Sequence, residues 1–156
     1  MNVHVMSRAE AIAYCHKPHA APAVMISISD PYMVYSSKPF CSRENRLRTI
    51  LPLCFSDADR PGNAVAGSGA EAHICNVTET DLMTDKDAIK IKHFVERHSD
   101  KTIIVHCDAG ISRSSGVAAA ILKYLIGDDS QIFDNPKYYP NMLCYRKTLN
   151  ALMDDN

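Results

Sequence analysis

The sequence has no excess of charge of either sign. Its 17 Lys and Arg residues stand against 18 Asp and Glu residues, which gives a formal net charge of −1 over 156 residues. Proteins that bind nucleic acids or membrane surfaces across a broad face usually carry a basic excess. We therefore expect neither type of partner, and any anion-binding site must be confined to a small part of the chain.

The sequence also lacks a long hydrophobic run and clustered cysteines, and its first residues do not lead us to expect a signal peptide. Its longest nearly apolar stretch covers residues 116–126 and is interrupted by Lys123, far short of the roughly 20 residues that span a bilayer. The six cysteines are scattered singly, so a disulfide framework is not expected. No CxxC or HExxH pattern indicates a metal site. These absences favour a cytoplasmic protein without a metal or another cofactor.

Segments with the periodicity of strands and helices alternate along the chain. A chain of this length typically forms one domain. The order of strand, helix, buried strand and buried helix is typical of an α/β fold with a parallel sheet. We therefore predict a single domain over residues 1–156, in which helices flank a central, mostly parallel sheet. The predicted strands cover residues 3–5, 24–29, 48–55 and 102–106, and the predicted helices cover residues 7–15, 84–98, 115–126 and 141–153.

Three segments carry more specific predictions. Pro52 lies within the third apolar run, which indicates an edge strand or a bulge because proline cannot donate to a strand ladder. Residues 102–106 show no polar alternation, as in a strand that is covered on both faces. Residues 115–126 are apolar almost all round and are followed by Gly127, which predicts a buried helix with a glycine at its C-terminal cap.

Residues 57–83 interrupt this alternation. They contain the glycine-rich and alanine-rich sequence PGNAVAGSGAEA and no sustained period. Loops longer than about 12–15 residues are uncommon in compact domains and are often functional or inserted. We predict a long loop on the side of the functional site, and two interpretations remain open: a tolerated insertion, and a mobile cover over that site.

The segment between the buried strand and the buried helix has the residues of an anion-binding loop. Ligands of open α/β sheets bind at the carboxyl ends of the strands. Five residues separate Cys107 from Arg113, and a turn of that length can wrap its backbone N–H groups around one point before the helix N-terminus. Gly110 permits a positive φ, and Arg113 can present two parallel donors to the same anion. The predicted phosphate-binding residues are Asp108, Ala109, Gly110, Ile111, Ser112 and Arg113.

Cys107 is the predicted nucleophile of this loop. Helix N-termini and nearby cations favour the thiolate form of a cysteine, so no separate general base is needed. Ser114 is placed to donate a hydrogen bond to the sulfur, and His106 is expected to organise the loop rather than to transfer protons. A structural role as a buried cysteine beside a core histidine would explain Cys107 and His106. It would not explain why Gly110, Arg113 and Ser114 follow at these positions between the strand and the helix.

The segment VHCDAGISRS resembles the HCX5R(S/T) phosphate-binding loop of the cysteine-dependent protein tyrosine and dual-specificity phosphatases. A weaker similarity extends from about residue 50 to residue 152 and includes Tyr139-Pro140-Asn141, which is similar to compact prokaryotic members. The resemblance implies the fold of these phosphatases and the hydrolysis of phosphate monoesters. The motif matches at His106, Cys107, Gly110, Arg113 and Ser114.

The resemblance further implies a two-step reaction. Cys107 attacks phosphorus to form a phosphocysteine, an aspartic acid protonates the leaving oxygen, and water then hydrolyses the intermediate. Members of the family carry this aspartate on a loop that follows a strand and precedes the helix leading to the nucleophile. Here the matching strand ends at residue 55, so Asp57 is the first candidate and Asp59 the second. Asp81 and Asp85 remain further alternatives.

The charge of the loop narrows the expected substrate. Residues 108–112 contain no Lys or Arg, whereas relatives that act on polyphosphorylated inositides tend to place basic residues there. The resemblance therefore implies a substrate with a single phosphate, with phosphotyrosine in a protein or peptide favoured, dual specificity left open, and inhibition by phosphate-like oxyanions. Residues 38–48 hold four cations and one acid. Two interpretations remain open: a solvated basic surface, and a binding site for acidic residues or a second phosphate close to the phosphorylated residue of the substrate.

Two other functions remain open. One is a catalytically weak phosphate-binding domain, in which the long segment over residues 57–83 misplaces the aspartic acid. The other is a sulfurtransferase or an arsenate-reducing relative, which would also use a cysteine within an anion-binding turn.

Overall fold

The secondary structure is taken from a computed structural model, which describes residues 2–19, 21–31, 46–66, 70 and 72–155. A short 3-10 turn at Glu79–Asp81 accompanies the strands and helices. The strands are β1 (Val3–Met6), β2 (Ala23–Ser29), β3 (Ile50–Cys54), β4 (Gly62–Ala66), β5 (His73–Val77) and β6 (Thr102–His106). The helices are α1 (Arg8–Cys15), α2 (Asp85–Arg97), α3 (Arg113–Ile126), α4 (Ser130–Phe133) and α5 (Met142–Met153).

Four parallel strands form the central sheet in the order β1–β6–β2–β3. Ile103, Ile104 and Val105 of β6 are fully buried, which confirms the predicted strand covered on both faces. Strand β3 lies at the edge, where its Pro52 can be accommodated. Because the strands are parallel, their carboxyl ends meet at one edge of the sheet. The predicted α/β class with a parallel sheet is confirmed.

Helices pack on both faces of this sheet. Alternate residues of a strand point to opposite faces, so Ile103 and Val105 join the core formed with α2, α3 and α5. Ile104 instead joins the smaller core that includes Ala11 and Cys15 of α1. Helix α3 thus lies against the sheet with its N-terminus at the carboxyl edge of β6.

Helix α3 begins at Arg113, two residues earlier than the apolar pattern predicts. Its first residues are polar, and a hydrophobic pattern cannot reveal that they are helical. Residues 113–122 are buried, which confirms a buried helix. The helix ends at Gly127, whose φ of 76° gives the predicted left-handed C-terminal cap.

The predicted long loop over residues 57–83 contains regular structure. Strands β4 and β5 form an antiparallel two-stranded ribbon. Val77 at its base is buried, whereas the cross-strand pair Val65 and Ile74 is 64% and 76% exposed. The sequence pattern misses this ribbon because small residues fill β4 and the apolar pair faces away from the core. Residues 67–69 and 71 lie outside the described residues.

One charged side chain occupies an unexpected place. The pattern of α2 predicts that Lys92 faces solvent, but Lys92 is buried and its ammonium group donates a hydrogen bond to the backbone carbonyl of Asp154. The chain that follows α5 crosses α2 at this point, and a lysine stem can cover apolar surface while its charged head meets a carbonyl. No helix among the described residues is long and apolar enough to cross a membrane.

The basic segment over residues 38–48 is only partly described. Residues 38–45 lie outside the described residues, whereas Arg46 and Arg48 precede β3 and lie at the amino edge of the sheet. Cys107 follows the opposite, carboxyl end of β6. A five-residue strand spans about 15 Å, so these two arginines do not border the loop around Cys107.

Candidate active site

Three of the backbone carbonyl groups of residues 108–112 accept hydrogen bonds from other segments of the protein. Within the described residues, no acceptor takes a hydrogen bond from the N–H groups of residues 109–112, and the N-cap residue Ser112 makes no side-chain capping bond. These donors and the N-terminus of α3 are therefore available to one anion. The carbonyl of Asp108 accepts a hydrogen bond from the N–H of Arg8 at 3.1 Å. The carbonyl of Ile111 accepts one from the N–H of Tyr139 at 3.0 Å, and the carbonyl of Ser112 accepts one from the N–H of Asn141 at 3.0 Å.

Gly110 is the tightest point of this loop. Its φ is +69°, and a Cβ at this position would lie 2.6 Å from the N atom of Ser7 and 2.7 Å from the carbonyl carbon of Met6. The loop thus packs directly on the β1–α1 junction. The same junction holds Asp108, whose carboxylate accepts a hydrogen bond from Nε of Arg8 at 3.0 Å.

Cys107 lies at the base of the loop. Its Sγ is 3.1 Å from Oγ of Ser114, and both residues are almost fully buried. A serine hydroxyl at this distance can donate to a thiolate, which is the predicted arrangement. Burial raises the pKa of the Cys144 thiol, and it raises that of Cys15 to about 11. Those two thiols therefore stay protonated at neutral pH.

His106 supports the loop from the strand that precedes it. Its Nδ1 lies 3.1 Å from the carbonyl oxygen of Cys107, which can only accept, so Nδ1 carries the proton. Its Nε2 then accepts from Oγ of Ser27 at 2.7 Å. Burial lowers the pKa of His106 to about 4, so the ring is neutral at pH 7.

Arg113 is held at the first turn of α3 by groups from three elements. Its Nη1 donates to the carbonyl oxygen of Phe55 at 2.8 Å and lies 3.9 Å from Oδ2 of Asp30. Its Nη2 is 3.5 Å from Oδ2 of Asp108. Its Nε is buried and has no hydrogen-bond acceptor among the described residues. One anion bound in the loop would give this nitrogen an acceptor.

The charges around Arg113 keep its guanidinium ionised. Burial by itself would lower the pKa of Arg113, but electrostatic interactions with Cys107 and with the carboxylates of Asp57, Asp108 and Asp30 raise it above its ordinary value. The site thus contains a permanent cation at the position where phosphate is predicted to bind.

Asp57 contacts the loop directly. Its Oδ1 accepts hydrogen bonds from Oγ of Ser112 at 2.7 Å and from Nδ2 of Asn141 at 3.2 Å. Both donors bond to the same oxygen, and Oδ2 has no hydrogen-bond partner among the described residues. This geometry leaves Oδ2 available for a further contact.

The other three candidate aspartates have partners elsewhere. Asp59 pairs with Arg60 at 3.8 Å, Asp81 accepts from the backbone N–H of Thr78 at 2.8 Å, and Asp85 pairs with Lys147 at 2.7 Å. None of these three contacts involves residues 107–114.

Solved structures share this arrangement of strands and helices, although neither a family model nor a curated protein matches the sequence. The active form of Tk-PTP aligns with a TM-score of 0.54 and 15% identity over 96% of this chain and 89% of that chain. PTPMT1 aligns with a TM-score of 0.50 and 16% identity over 97% and 87%. PTPMT1 in complex with PI(5)P aligns with a TM-score of 0.50 and 13% identity over 96% and 88%. The chain has the fold of the protein tyrosine phosphatases.

This phosphatase fold brings together residues that the sequence analysis did not select. Arg8 and Asp30 each contact the loop or Arg113, and Asn141 was noted only within a resembling tripeptide. Asp30 follows the carboxyl end of β2, where ligands of α/β sheets bind, so its position along the chain was a usable signal. Arg8 carried no such signal, because its contact with Asp108 spans 100 residues.

Metal ligands are not grouped in the described part of this phosphatase fold. No three His, Cys, Asp or Glu side chains there lie close enough together to hold a metal ion.

Proposed function

We propose that the protein hydrolyses phosphate monoesters through a phosphocysteine formed on Cys107. The observation that carries this proposal is the loop itself: Sγ of Cys107 lies 3.1 Å from Oγ of Ser114, at the base of a turn whose N–H groups have no other acceptor among the described residues. A tetrahedral dianion is the ligand that such a turn binds. The fold shared with Tk-PTP and PTPMT1 supports the same chemistry.

In the first step, the loop N–H groups and Arg113 bind three oxygens of the phosphoryl group. The Cys107 thiolate attacks phosphorus, the bond from phosphorus to the ester oxygen breaks, and the electron pair leaves with that oxygen. Asp57 donates its proton to the leaving oxygen, which departs as a neutral alcohol or phenol. The preorganised donors stabilise the charge that develops in the transition state.

In the second step, water attacks phosphorus and the phosphorus–sulfur bond breaks. The Asp57 carboxylate takes a proton from the water, and the electron pair of the broken bond returns to Cys107 as thiolate. Ser114 donates a hydrogen bond to this leaving sulfur. His106 neither gives nor takes a proton in either step, because burial holds its pKa at about 4 and both ring nitrogens are already hydrogen-bonded.

The proposed substrate is a phosphorylated protein or peptide with one phosphate in the loop, and phosphotyrosine is favoured. Residues 108–112 supply no cation for a second phosphate, and the one charged side chain among them, Asp108, is paired with Arg8 and Arg113. PTPMT1 has been crystallised with PI(5)P, so a monophosphorylated lipid headgroup is the second candidate for this chain. Phosphate-like oxyanions such as vanadate should inhibit.

The proposed compartment is the cytoplasm. The mechanism needs Cys107 as a free thiolate, and a reducing compartment keeps it in that state. Cys15, Cys54, Cys75 and Cys144 are also free, which agrees with this proposal.

The test is the hydrolysis of an aryl phosphate and a phosphotyrosine peptide by the wild type, Cys107→Ser and Cys75→Ser. We expect turnover by the wild type, a loss of at least about a thousandfold in Cys107→Ser, as removal of a covalent nucleophile produces, and normal turnover in Cys75→Ser, whose thiol lies on the β4–β5 ribbon. Rapid acid quench should trap the wild type with one added phosphoryl group on Cys107.

The alternatives give different results in the same assay. Undiminished turnover by Cys107→Ser would refute the cysteine mechanism. Tight vanadate binding without wild-type turnover would favour a phosphate-binding domain. Transfer of sulfur from thiosulfate, or reduction of arsenate, without phosphatase activity would favour the remaining alternative. Preference for a monophosphorylated inositide over the phosphotyrosine peptide would select the lipid as substrate.

A further inference from the structure

Asn141 joins three parts of the site through separate atoms. It is 8% exposed and forms the N-cap of α5, where its Oδ1 accepts from the N–H of Cys144 at 3.1 Å. Its backbone N–H donates to the carbonyl of Ser112 at 3.0 Å. Its Nδ2 donates to Oδ1 of Asp57 at 3.2 Å and to the carbonyl of Ala58 at 3.2 Å. One buried side chain thus connects the start of α5, the anion-binding loop and the segment that carries Asp57.

The partners fix the orientation of the Asn141 amide. The N–H of Cys144 can only donate, so the atom that faces it must be the amide oxygen. The carbonyl of Ala58 can only accept, so the atom that faces it must be the amide nitrogen. A flipped amide would place its NH2 group against the N–H of Cys144 and its oxygen against the two acceptors on Asp57 and Ala58, whereas the observed orientation satisfies all of these groups.

Asn141 has little freedom to move from this place. Its backbone carbonyl oxygen lies 2.5 Å from the position that a Cβ on Gly116 would occupy, so the start of α5 sits directly on the first turns of α3. Helix α3 in turn begins at Arg113. The distance between the Asp57 segment and the loop is therefore set by a rigid contact between two helices.

We propose that Asn141 is the positioning residue that holds the general acid Asp57 over the bound phosphate. This inference rests on the proposed function. The amide of Asn141 donates a hydrogen bond to Oδ1 of Asp57, which leaves the proton to Oδ2. The same amide donates to the carbonyl of Ala58 and so also holds the backbone beside Asp57 in place. Asn141 itself touches neither the substrate nor the reacting atoms.

The variants Asn141→Asp and Asn141→Ser separate positioning from helix capping. Asp and Ser are as good as Asn at the N-cap, so the bond from Cys144 is kept. Both lack the Nδ2 donor, and Asp also places a second carboxylate against Asp57. Asn150→Asp is the matched control, because Asn150 is an exposed residue of α5 and this change adds the same charge without touching the site.

The assay compares two substrates whose leaving groups differ in their need for a proton. Dinitrophenolate leaves without protonation, whereas phenolate needs the acid, and general acid catalysis contributes about 100-fold to 10,000-fold. We expect both Asn141 variants to lose about tenfold or more of kcat/KM on phenyl phosphate while keeping the wild-type value within a factor of about three on dinitrophenyl phosphate. In an Asp57→Asn background, the same changes should cause no further loss on phenyl phosphate, because the groups act as a unit.

Three results would overturn the proposal. The first is an equal loss of kcat/KM on both substrates. The second is that an Asn141 substitution lowers kcat/KM as much in the Asp57→Asn background as in the wild type. The third is an unchanged kcat/KM of the Asn141 variants on phenyl phosphate. If Asn141→Asp fails to fold, as its thermal midpoint would show, Asn141→Ser decides alone.

Hydrogen–deuterium exchange gives a readout that does not depend on turnover. Amides of residues 57–60 should exchange faster in Asn141→Ser and Asn141→Asp than in the wild type or Asn150→Asp, and unchanged exchange would refute the positioning role. Absence of wild-type turnover would instead refute the proposed function, and the exchange data would still show whether Asn141 holds this segment.

Discussion

Replacement of Gly110 by alanine perturbs the loop in two ways that the structure separates. The residue has a φ of +69°, and an L-residue in that region costs about 1–2 kcal/mol. Its Cβ would also lie 2.6 Å from N of Ser7 and 2.7 Å from the carbonyl carbon of Met6. Backbone atoms cannot rotate away as a side chain can, so the loop or the β1–α1 junction must shift, and overpacking of this kind costs about 1–3 kcal/mol more.

Gly127→Ala is the control for the first of these effects. Gly127 has a φ of +76°, but no atom lies within 4 Å of its Cβ position, so this variant should lose only the conformational part, about 1–2 kcal/mol. We expect urea unfolding to show a larger loss for Gly110→Ala, about 2–5 kcal/mol in all.

The activities of the two variants should also differ. A misplacement of about 1 Å can cost about a hundredfold in rate, so we expect a loss of that order in kcat/KM for Gly110→Ala and wild-type activity for Gly127→Ala. Equal destabilisation of the two variants, together with normal kcat/KM for Gly110→Ala, would refute the assigned contact between the loop and the β1–α1 junction.

Three further predictions concern single side chains. Burial holds the pKa of His106 at about 4, against about 6.5 in an unfolded chain, so only the unfolded state gains a proton as the pH falls from about 6.5 to about 4. The free energy of unfolding should therefore fall by about 3 kcal/mol over this window. In His106→Asn the free energy of unfolding should depend less steeply on pH. Ser114→Ala removes the donor to the leaving sulfur, worth about 1.5–3 kcal/mol, so phosphocysteine should accumulate and stopped-flow traces should show a burst of phenol before a slower steady state; traces without a burst would count against this role. Asp57→Asn should lose about a hundredfold or more in kcat/KM on phenyl phosphate whereas Asp59→Asn should not, and the reverse order would move the acid to Asp59.

The sequence was sufficient to predict the parts of the site that are contiguous along the chain. A buried strand, a turn with Gly110 and a buried helix capped by Gly127 can each be predicted from local patterns. The turn carries Cys107 and leads into Arg113. Local geometry decides these features, because the turn must connect a strand end to a helix start within the six residues 107–112.

The contacts that hold this turn in place could not be predicted in the same way. Arg8 reaches Asp108 across 100 residues, and Asn141 reaches Asp57 across 84. Such pairs depend on the packing of α1 and α5 around the sheet, which hydrophobic periodicity does not specify. The burial of Lys92 was hidden for the same reason, since its partner at Asp154 belongs to a different segment of the chain.

The distribution of charge explains why an anion at this site needs the backbone donors as well as the arginines. The carboxylates of Asp30, Asp57 and Asp108 surround the guanidinium of Arg113, and the carboxylate of Asp108 also pairs with Arg8. A phosphate dianion would add two more negative charges to this group. Two guanidinium groups do not balance three carboxylates and a bound dianion. The backbone N–H groups of residues 109–112, which have no acceptor among the described residues, and the N-terminus of α3 must therefore offset the remaining charge.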